Sequence, residues 1–344
     1  MRVLHTGDIA NVAFLLVGTL RKMGCDAYLL KQKGGHPRSD PHFLKGGKLP
    51  DWVISTERSP LIALKLFSEG WKSDILQAYG GAPAFCQFVP RPLISICLGS
   101  DLRQAAQTNT LLGSLLRRAY KSSRKLFYAN IDHPKYLARI GLKGEYLPLP
   151  VDTSTYRPRR RQSSEGLVVF HPPSLNWAKK GNDVFIKGFQ EFLSRGGRGK
   201  LYLVEHGCDM LRTRELVRNL GIEESVVFLP LLSSNKMRLF YDKADVVADQ
   251  FLCGAFGCTC LEAMAMERPV LISINEEDVV REYGEMMPVL NCRTPEQICE
   301  NLLLMRDEPE RREIGKKARK WVVKHHDKNL VAKKLLSTYS EILK

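Results

Sequence analysis

Short runs of consecutive apolar residues recur along the chain, separated by longer stretches in which apolar residues return every third or fourth position. In the first half the runs are "RVLHTG" (2–7), "DAYLLK" (26–31), "DILQAYGG" (74–81), "PLISICLG" (92–99) and "KLFYA" (125–129). A helical pattern over 9–24 is closed by Gly24, and residues 31–50 form a polar loop rich in Gly and Pro. After the proline- and charge-rich segment 147–166 the alternation restarts with "LVVFHP" (167–172), "KLYLVEHG" (200–207), "SVVFLP" (225–230), "DVVAD" (245–249) and "PVLISI" (269–274). Strands without polar alternation are buried on both faces, and their alternation with helices predicts parallel sheets. The expected fold is α/β: two doubly wound, Rossmann-like parallel-sheet domains, 1–150 and 151–320, facing a cleft. From Thr294 onward the pattern is helical, and the basic amphipathic helix 321–344 is expected to pack back toward the first domain, with His325 and His326 on its surface.

The composition, 344 residues with 44% hydrophobic and 26% charged, is ordinary for a globular protein of two domains. No apolar run approaches the roughly 20 residues of a membrane span, and residues 1–23 read as strand plus helix, so a cytoplasmic protein without a signal peptide is expected. The nine cysteines stand in scattered, mostly apolar settings (Cys86, Cys97, Cys292, Cys299) and read as buried thiols. Of the net charge of +15, residues 1–150 carry 21 Lys/Arg against 10 Asp/Glu, or +11, and the remainder +4. That basic half suits an anionic ligand or membrane surface. Nucleic acid is disfavoured, because aromatics do not interleave with the basic residues and no known module pattern is present.

In doubly wound sheets ligands bind beyond the carboxyl ends of strands. The stretch "DQFLCGAFGCTCLEAMAMERPVLIS" (249–273) runs from such a strand end through a glycine-bearing loop into a helix. A helix start offers unpaired N–H groups and partial positive charge, which suit phosphate. Glu262, about one and a half turns in, can reach the vicinal hydroxyls of a ribose; it could equally be a first-turn glutamate favoured by the helix dipole. His171 ends a strand, with backbone hydrogen bonding and phosphate contact both open. Gly7 fits a tight turn or a close ligand approach, and Asp132 reads as the N-cap of "HPKYLARIGL". Cys253, Cys258 and Cys260 lack zinc-site spacing and read as small fillers.

"FGCTCLEAMAMERPVL" (256–271) resembles the signature of the retaining, two-domain GT-B glycosyltransferases known as glycosyl transferases group 1, or family four. The resemblance extends to "MRVLHTGDIANVAFLLVGTLRKMG" at the start, "ICLGSDLR" (96–103), "YLPLPVDTSTYRP" (146–158), "HPPSLNWAKKGNDVFIKGF" (171–189) and "VVFLPLLSSNKMRLFYDKADVVADQ" (226–250). It implies a metal-independent enzyme without a cofactor that moves a sugar from a nucleotide sugar to an acceptor, retaining anomeric configuration. Glu262 matches the glutamate that holds the nucleotide ribose. Lys180, with Lys179 beside it, matches the diphosphate lysine, in a segment that includes Ser174. The N–H groups of Gly257, Cys258 and Thr259 would add to the phosphate site, and Gly7, Asn11 and Asp101 would face the transferred sugar. Three positions depart from the pattern. Gly254 stands where a donor-sugar glutamate is usual, with Asp249 or Gln250 as its expected replacement; Leu175 replaces an arginine; Glu267 replaces a helix-capping glycine. The acceptor expected from the charge is an anionic lipid or a glycan, met in peripheral contact with the inner membrane face. A catalytically degenerate nucleotide- or sugar-binding subunit and an epimerase on the same fold are the alternatives.

Overall fold

The computed structural model describes residues 1–32, 49–56, 61–159 and 165–344. Most of the polar loop expected at 31–50, with Lys33, Arg38, Lys45 and Lys48, lies outside them, as do residues 160–164. The chain divides into two units, Met1–Pro150 with His326–Lys344, and Val151–His325.

Among the described residues of the first unit, seven parallel strands run in the order β3-β2-β1-β4-β5-β6-β7. They are β1 (Arg2–Thr6), β2 (Asp26–Gln32), β3 (Val53–Thr56), β4 (Ile75–Tyr79), β5 (Leu93–Cys97), β6 (Lys125–Tyr128) and β7 (Glu145–Tyr146). β4 and β5 are buried at every residue, as apolar runs without alternation require. Helices α1 (Val12–Lys22), α2 (Leu61–Trp71), α3 (Pro83–Cys86), α4 (Ser100–Arg103), α5 (Leu111–Ser122) and α6 (His133–Arg139) connect them.

Among its described residues the second unit holds six parallel strands in the order β10-β9-β8-β11-β12-β13: β8 (Leu167–His171), β9 (Gly199–Val204), β10 (Val226–Leu229), β11 (Val246–Ala248), β12 (Val270–Ile272) and β13 (Leu290–Asn291). Its helices are α7 (Trp177–Lys180), α8 (Asn182–Ser194), α9 (Met210–Asn219), α10 (Ser234–Lys243), α11 (Cys258–Ala265), α12 (Glu276–Tyr283), α13 (Pro295–Leu304) and most of α14 (Glu308–His326). Its core gathers Phe185, Phe189 and Phe192 of α8 with Val169, Leu201 and Leu271 of the sheet. In each unit the strand order reverses once, between β1 and β4 and between β8 and β11. Such a reversal opens a crevice at the carboxyl ends, where doubly wound sheets bind ligands.

The last helix, α15 (Lys328–Ile342), packs on α1. Tyr339 is fully buried, and its hydroxyl hydrogen-bonds Gln77 and His5 Nε2 (3.3 Å), while His5 Nδ1 meets the Tyr79 hydroxyl at 2.9 Å. His326 departs from the surface position expected of it. It is completely buried, with Nδ1 2.8 Å from the Leu149 carbonyl. Its neighbour His325 reaches Glu285 at 2.6 Å. Asp132 occupies the N-cap position but caps nothing; its carboxylate takes a two-pronged grip from Arg103, at 2.7 and 2.6 Å. A charged bidentate pair is stronger than a cap bond, and Arg103 is in reach. Where the glycine cap is missing, Glu267 adopts the left-handed conformation itself, at φ 57°, a cost of about 1 kcal/mol for a residue with a Cβ.

Candidate active site

At the reversal in the second unit, β8 delivers His171. Its ring is fully buried, with Nδ1 3.0 Å from the Ala248 carbonyl and Nε2 2.8 Å from the Asn182 amide. The first contact makes Nδ1–H a donor and leaves Nε2 to accept. Burial drives the His171 pKa down to about 3, so the ring is neutral and ties β8 to β11. Backbone bonding is therefore its role.

Asn176 then caps α7 by accepting from the Lys179 N–H at 3.1 Å. Gly181, at φ 65°, turns the chain sharply; a Cβ there would stand 3.0 Å from Leu252 Cγ. This close approach lets the Phe251 N–H reach the Lys180 carbonyl at 2.7 Å, tying the turn to the loop after β11. The half-buried Lys180 ammonium donates to Gln250 Oε1, and Gln250 Nε2 donates to the Ala255 carbonyl. Lys179 points its side chain into solvent. Of the two adjacent lysines, only Lys180 is joined to the loop that leads into α11.

Asp249, beside Gln250, is 4% exposed. It accepts from the Cys260 N–H in the first turn of α11, while Oδ2 has no hydrogen-bond partner among the described residues. Burial raises its pKa from 3.8 to about 6, against the opposing pull of the Lys180 charge and the Cys260 N–H. Because the folded-state value is the higher one, the native protein holds this proton more tightly than the unfolded chain does. The resulting stabilisation is complete below about pH 4 and is lost as the pH rises through 6. Asp249→Asn keeps an acceptor for the Cys260 N–H and removes the buried charge. We expect it to raise the unfolding free energy at pH 8 by about 1–3 kcal/mol, with the gain vanishing toward pH 4. Urea unfolding at the two pH values measures this; a variant less stable than wild type at pH 8 would contradict it.

The loop continues through Gly254, at φ 65°, whose carbonyl accepts from the Asn275 N–H at 2.9 Å. α11 starts from the extended Gly257 without a side-chain cap, and a Cβ at Gly257 would meet nothing within 4 Å. Cys258 and Thr259 lie half-buried in the first turn. Glu262, also half-buried, accepts from the Tyr241 hydroxyl at 3.2 Å and from Tyr156. Burial and then the Glu262 charge push the Tyr156 phenol well above its ordinary pKa, so it stays a donor. The two rings meet edge to face at 6.3 Å, which fixes the carboxylate from one side. Neither tyrosine was marked by the sequence pattern, although Tyr156 lies in "YLPLPVDTSTYRP" and Tyr241 in "VVFLPLLSSNKMRLFYDKADVVADQ".

The other expected residues fall as follows. Ser174 contributes its carbonyl, which accepts from Asn176 N (2.9 Å) and Asn182 Nδ2 (3.3 Å). Leu175 is completely buried and its backbone pairs with His206 and Asp209, so this position is core. In the first unit, Gly7 has φ 84°, and a Cβ would stand 2.4 Å from the Tyr79 carbonyl; packing alone demands glycine. Asn11 precedes α1 in the left-handed conformation at φ 60°, and beside it Asp8 accepts from the Ala13 N–H (2.9 Å) and from Lys31 (2.9 Å). Asp101, which the resemblance sets beside the transferred sugar, lies in the first turn of α4. It is 7% exposed and accepts from the N–H groups of Leu98 (3.2 Å) and Gly99 (2.7 Å) and from the Tyr120 hydroxyl (3.0 Å). Those bonds fold the turn after β5 onto itself.

Two wholly parallel doubly wound sheets, with a lysine, a glycine-bearing loop and a helix start at the reversal of the second, define the GT-B class of fold. The structure of Anabaena Alr3699/HepE in complex with UDP and glucose superposes with a TM-score of 0.77, at 15% identity over 99% of both chains. The sucrose-phosphate synthase of Thermosynechococcus elongatus superposes with a TM-score of 0.71, at 12% identity over 100% of this chain and 99% of that one. At these identities the likeness is one of fold. The chain belongs to the family Glycosyl transferases group 1, whose model matches residues 153–321. Among curated proteins it is 30% identical over 125 residues to the mannosylfructose-phosphate synthase of Agrobacterium fabrum, covering 34% of this chain and 27% of that protein. It is 30% identical over 142 residues to the D-inositol 3-phosphate glycosyltransferase of Acidothermus cellulolyticus, 36% of this chain and 32% of that protein. The match thus spans between a quarter and a third of these relatives' length.

Proposed function

We propose that the protein transfers a hexosyl group from a nucleoside diphosphate sugar to an acceptor, with retention of configuration and without a metal. The observation that carries this reading is the joining of Lys180, through Gln250, to the glycine-bearing loop that opens α11. Lys180 and the first-turn N–H groups of α11 form one electropositive lip for a diphosphate, and Glu262 lies beyond it for the ribose. As the bond between the sugar and the diphosphate breaks, negative charge grows on the departing oxygen, and a preplaced ammonium stabilises it without reorganisation. The UDP and glucose bound by Alr3699/HepE support a nucleotide-sugar donor. Gly254, too small to touch the sugar, leaves that contact to Asp249, whose Oδ2 is without a hydrogen-bond partner among the described residues, or to Gln250.

The acceptor in this reading is anionic or lipid-borne and is received by the basic unit. α5 supports it: Leu111 and Leu112 are 78% and 42% exposed beside the exposed Arg118 and Lys121, while Leu116 and Tyr120 fill the core. A second reading, a nucleotide-binding subunit without turnover, is favoured by Gly254 and by the buried Leu175. Incubation with a panel of nucleotide sugars, with and without anionic lipid acceptors, separates the two. Acceptor-dependent release of nucleoside diphosphate supports the transferase. Binding that raises thermal stability without any release would give the second reading, and conversion of the sugar without acceptor an epimerase.

A further inference from the structure

At the opposite end of the same strands, the second unit contains a cavity of about 1210 Å³. It lies where β8 begins at Leu167, where Asp245 leads into β11 and Pro269 into β12, and under the carboxyl end of α11 at Met266 and Glu267. Six arginines and one lysine line it against one aspartate and two glutamates, a net of +4 among the described residues. Three of the cations are paired locally: Arg311 Nε holds Asp245 at 3.2 Å, Arg312 holds Glu308 at 2.6 Å, and Arg159 stands 3.8 Å from Asp242. Among the described residues, Arg198, Arg306, Lys316 and Arg268 are in no ion pair.

Arg268 is the telling one. It is 9% exposed, and among the described residues its Nε has no hydrogen-bond partner and its guanidinium bonds only the Asp242 carbonyl, at 3.3 Å. The Asp242 and Glu267 charges act on it only through space, and without a bonded carboxylate a buried guanidinium is costly, while a concave wall of arginines brings like charges together. A ligand carrying several negative charges relieves both costs. Planar guanidinium forks match phosphate oxygens in pairs, which Lys-rich solvated faces do not.

We infer that this cavity binds a small molecule bearing several phosphate groups, at a site separate from the one that holds Lys180 and Glu262. The two sites share β8, β11 and α11, with one at the amino ends of the strands and the other at their carboxyl ends. The cations converge into a concavity, the shape for a free ligand and not for a bilayer.

Calorimetric titration of the full chain with inorganic tripolyphosphate, with and without saturating UDP, tests the inference. We expect tripolyphosphate to bind in the presence of UDP. Its affinity should fall at least tenfold in the exposed double variant Arg312→Glu/Lys316→Glu and in Arg268→Gln, with unchanged affinity for UDP. The double variant keeps the test meaningful if Arg268→Gln does not fold. Equal affinity in the folded variants, or complete displacement of tripolyphosphate by UDP, would overturn the site. Binding to anionic vesicles that is lost in the same variants and not displaced by tripolyphosphate would overturn the free-ligand assignment. Failure of sugar transfer leaves every one of these readouts intact.

Discussion

Lys180→Ala is expected to lower kcat by about 10²–10³-fold, the range for removing one donor that stabilises charge developing in a transition state. The ammonium is half-buried and held by Gln250, so its position is set before any donor arrives. A group placed for the leaving diphosphate contributes more to the transition state than to the bound ground state. KM for the nucleotide sugar should therefore change by less than kcat. Lys179→Ala is the internal control. Its side chain is exposed, and the cap bond at 3.1 Å uses only its backbone N–H, so turnover should stay near wild type. Steady-state kinetics on both variants decides the matter. Wild-type turnover in Lys180→Ala would move the role to another cation.

Glu262→Gln should weaken UDP binding by about 1.5–3 kcal/mol, roughly 10- to 150-fold in Kd, the range for hydrogen bonds to a charged group. The side chain keeps its shape and stays between Tyr241 and Tyr156, so the loss isolates the charge. Calorimetry with UDP and with 2′-deoxy-UDP supplies the readout. The variant's disadvantage should shrink with the deoxy ligand, because one of the two ribose hydroxyls is then missing for both proteins. An equal loss for the two ligands would place Glu262 away from the ribose.

The central strands were legible because they are buried on both faces and so carry uninterrupted apolar runs. Of the edge strands, β10 was legible in "SVVFLP", while β3, β7 and β13 were not, because within their bounds no more than two apolar residues follow one another. At the site, Glu262 stands out in the sequence as a carboxylate inside an apolar helix, whereas Lys180 is marked only by the resemblance of its segment to the family's diphosphate lysine. The groups that hold them come from distant segments. Tyr241 lies 21 residues before Glu262, and Gln250 70 residues after Lys180, separations at which spacing carries no information. Asp132 was misread as a cap for a related reason. A short acid at a helix start has an obvious local use, and the partner that claims it, Arg103, is visible only in three dimensions. His326 likewise stands in a basic helix whose composition says surface, while the Leu149 carbonyl 177 positions earlier makes it core.

The hydroxyl of Tyr339 and the side chain of Gln77 meet although 262 positions separate them in the chain. All of the second unit is strung between them, so the first unit is begun first on the ribosome and completed last. Throughout synthesis it must wait with α1 uncovered and His5 without one of its two partners. The second unit, continuous from Val151 to His325, can condense meanwhile and shorten the effective tether. Closure entropy grows only with the logarithm of tether length, about 0.6 kcal/mol per doubling, so a prefolded insert makes the final docking step easier by a modest amount. The order of assembly is thereby inverted with respect to the order of translation.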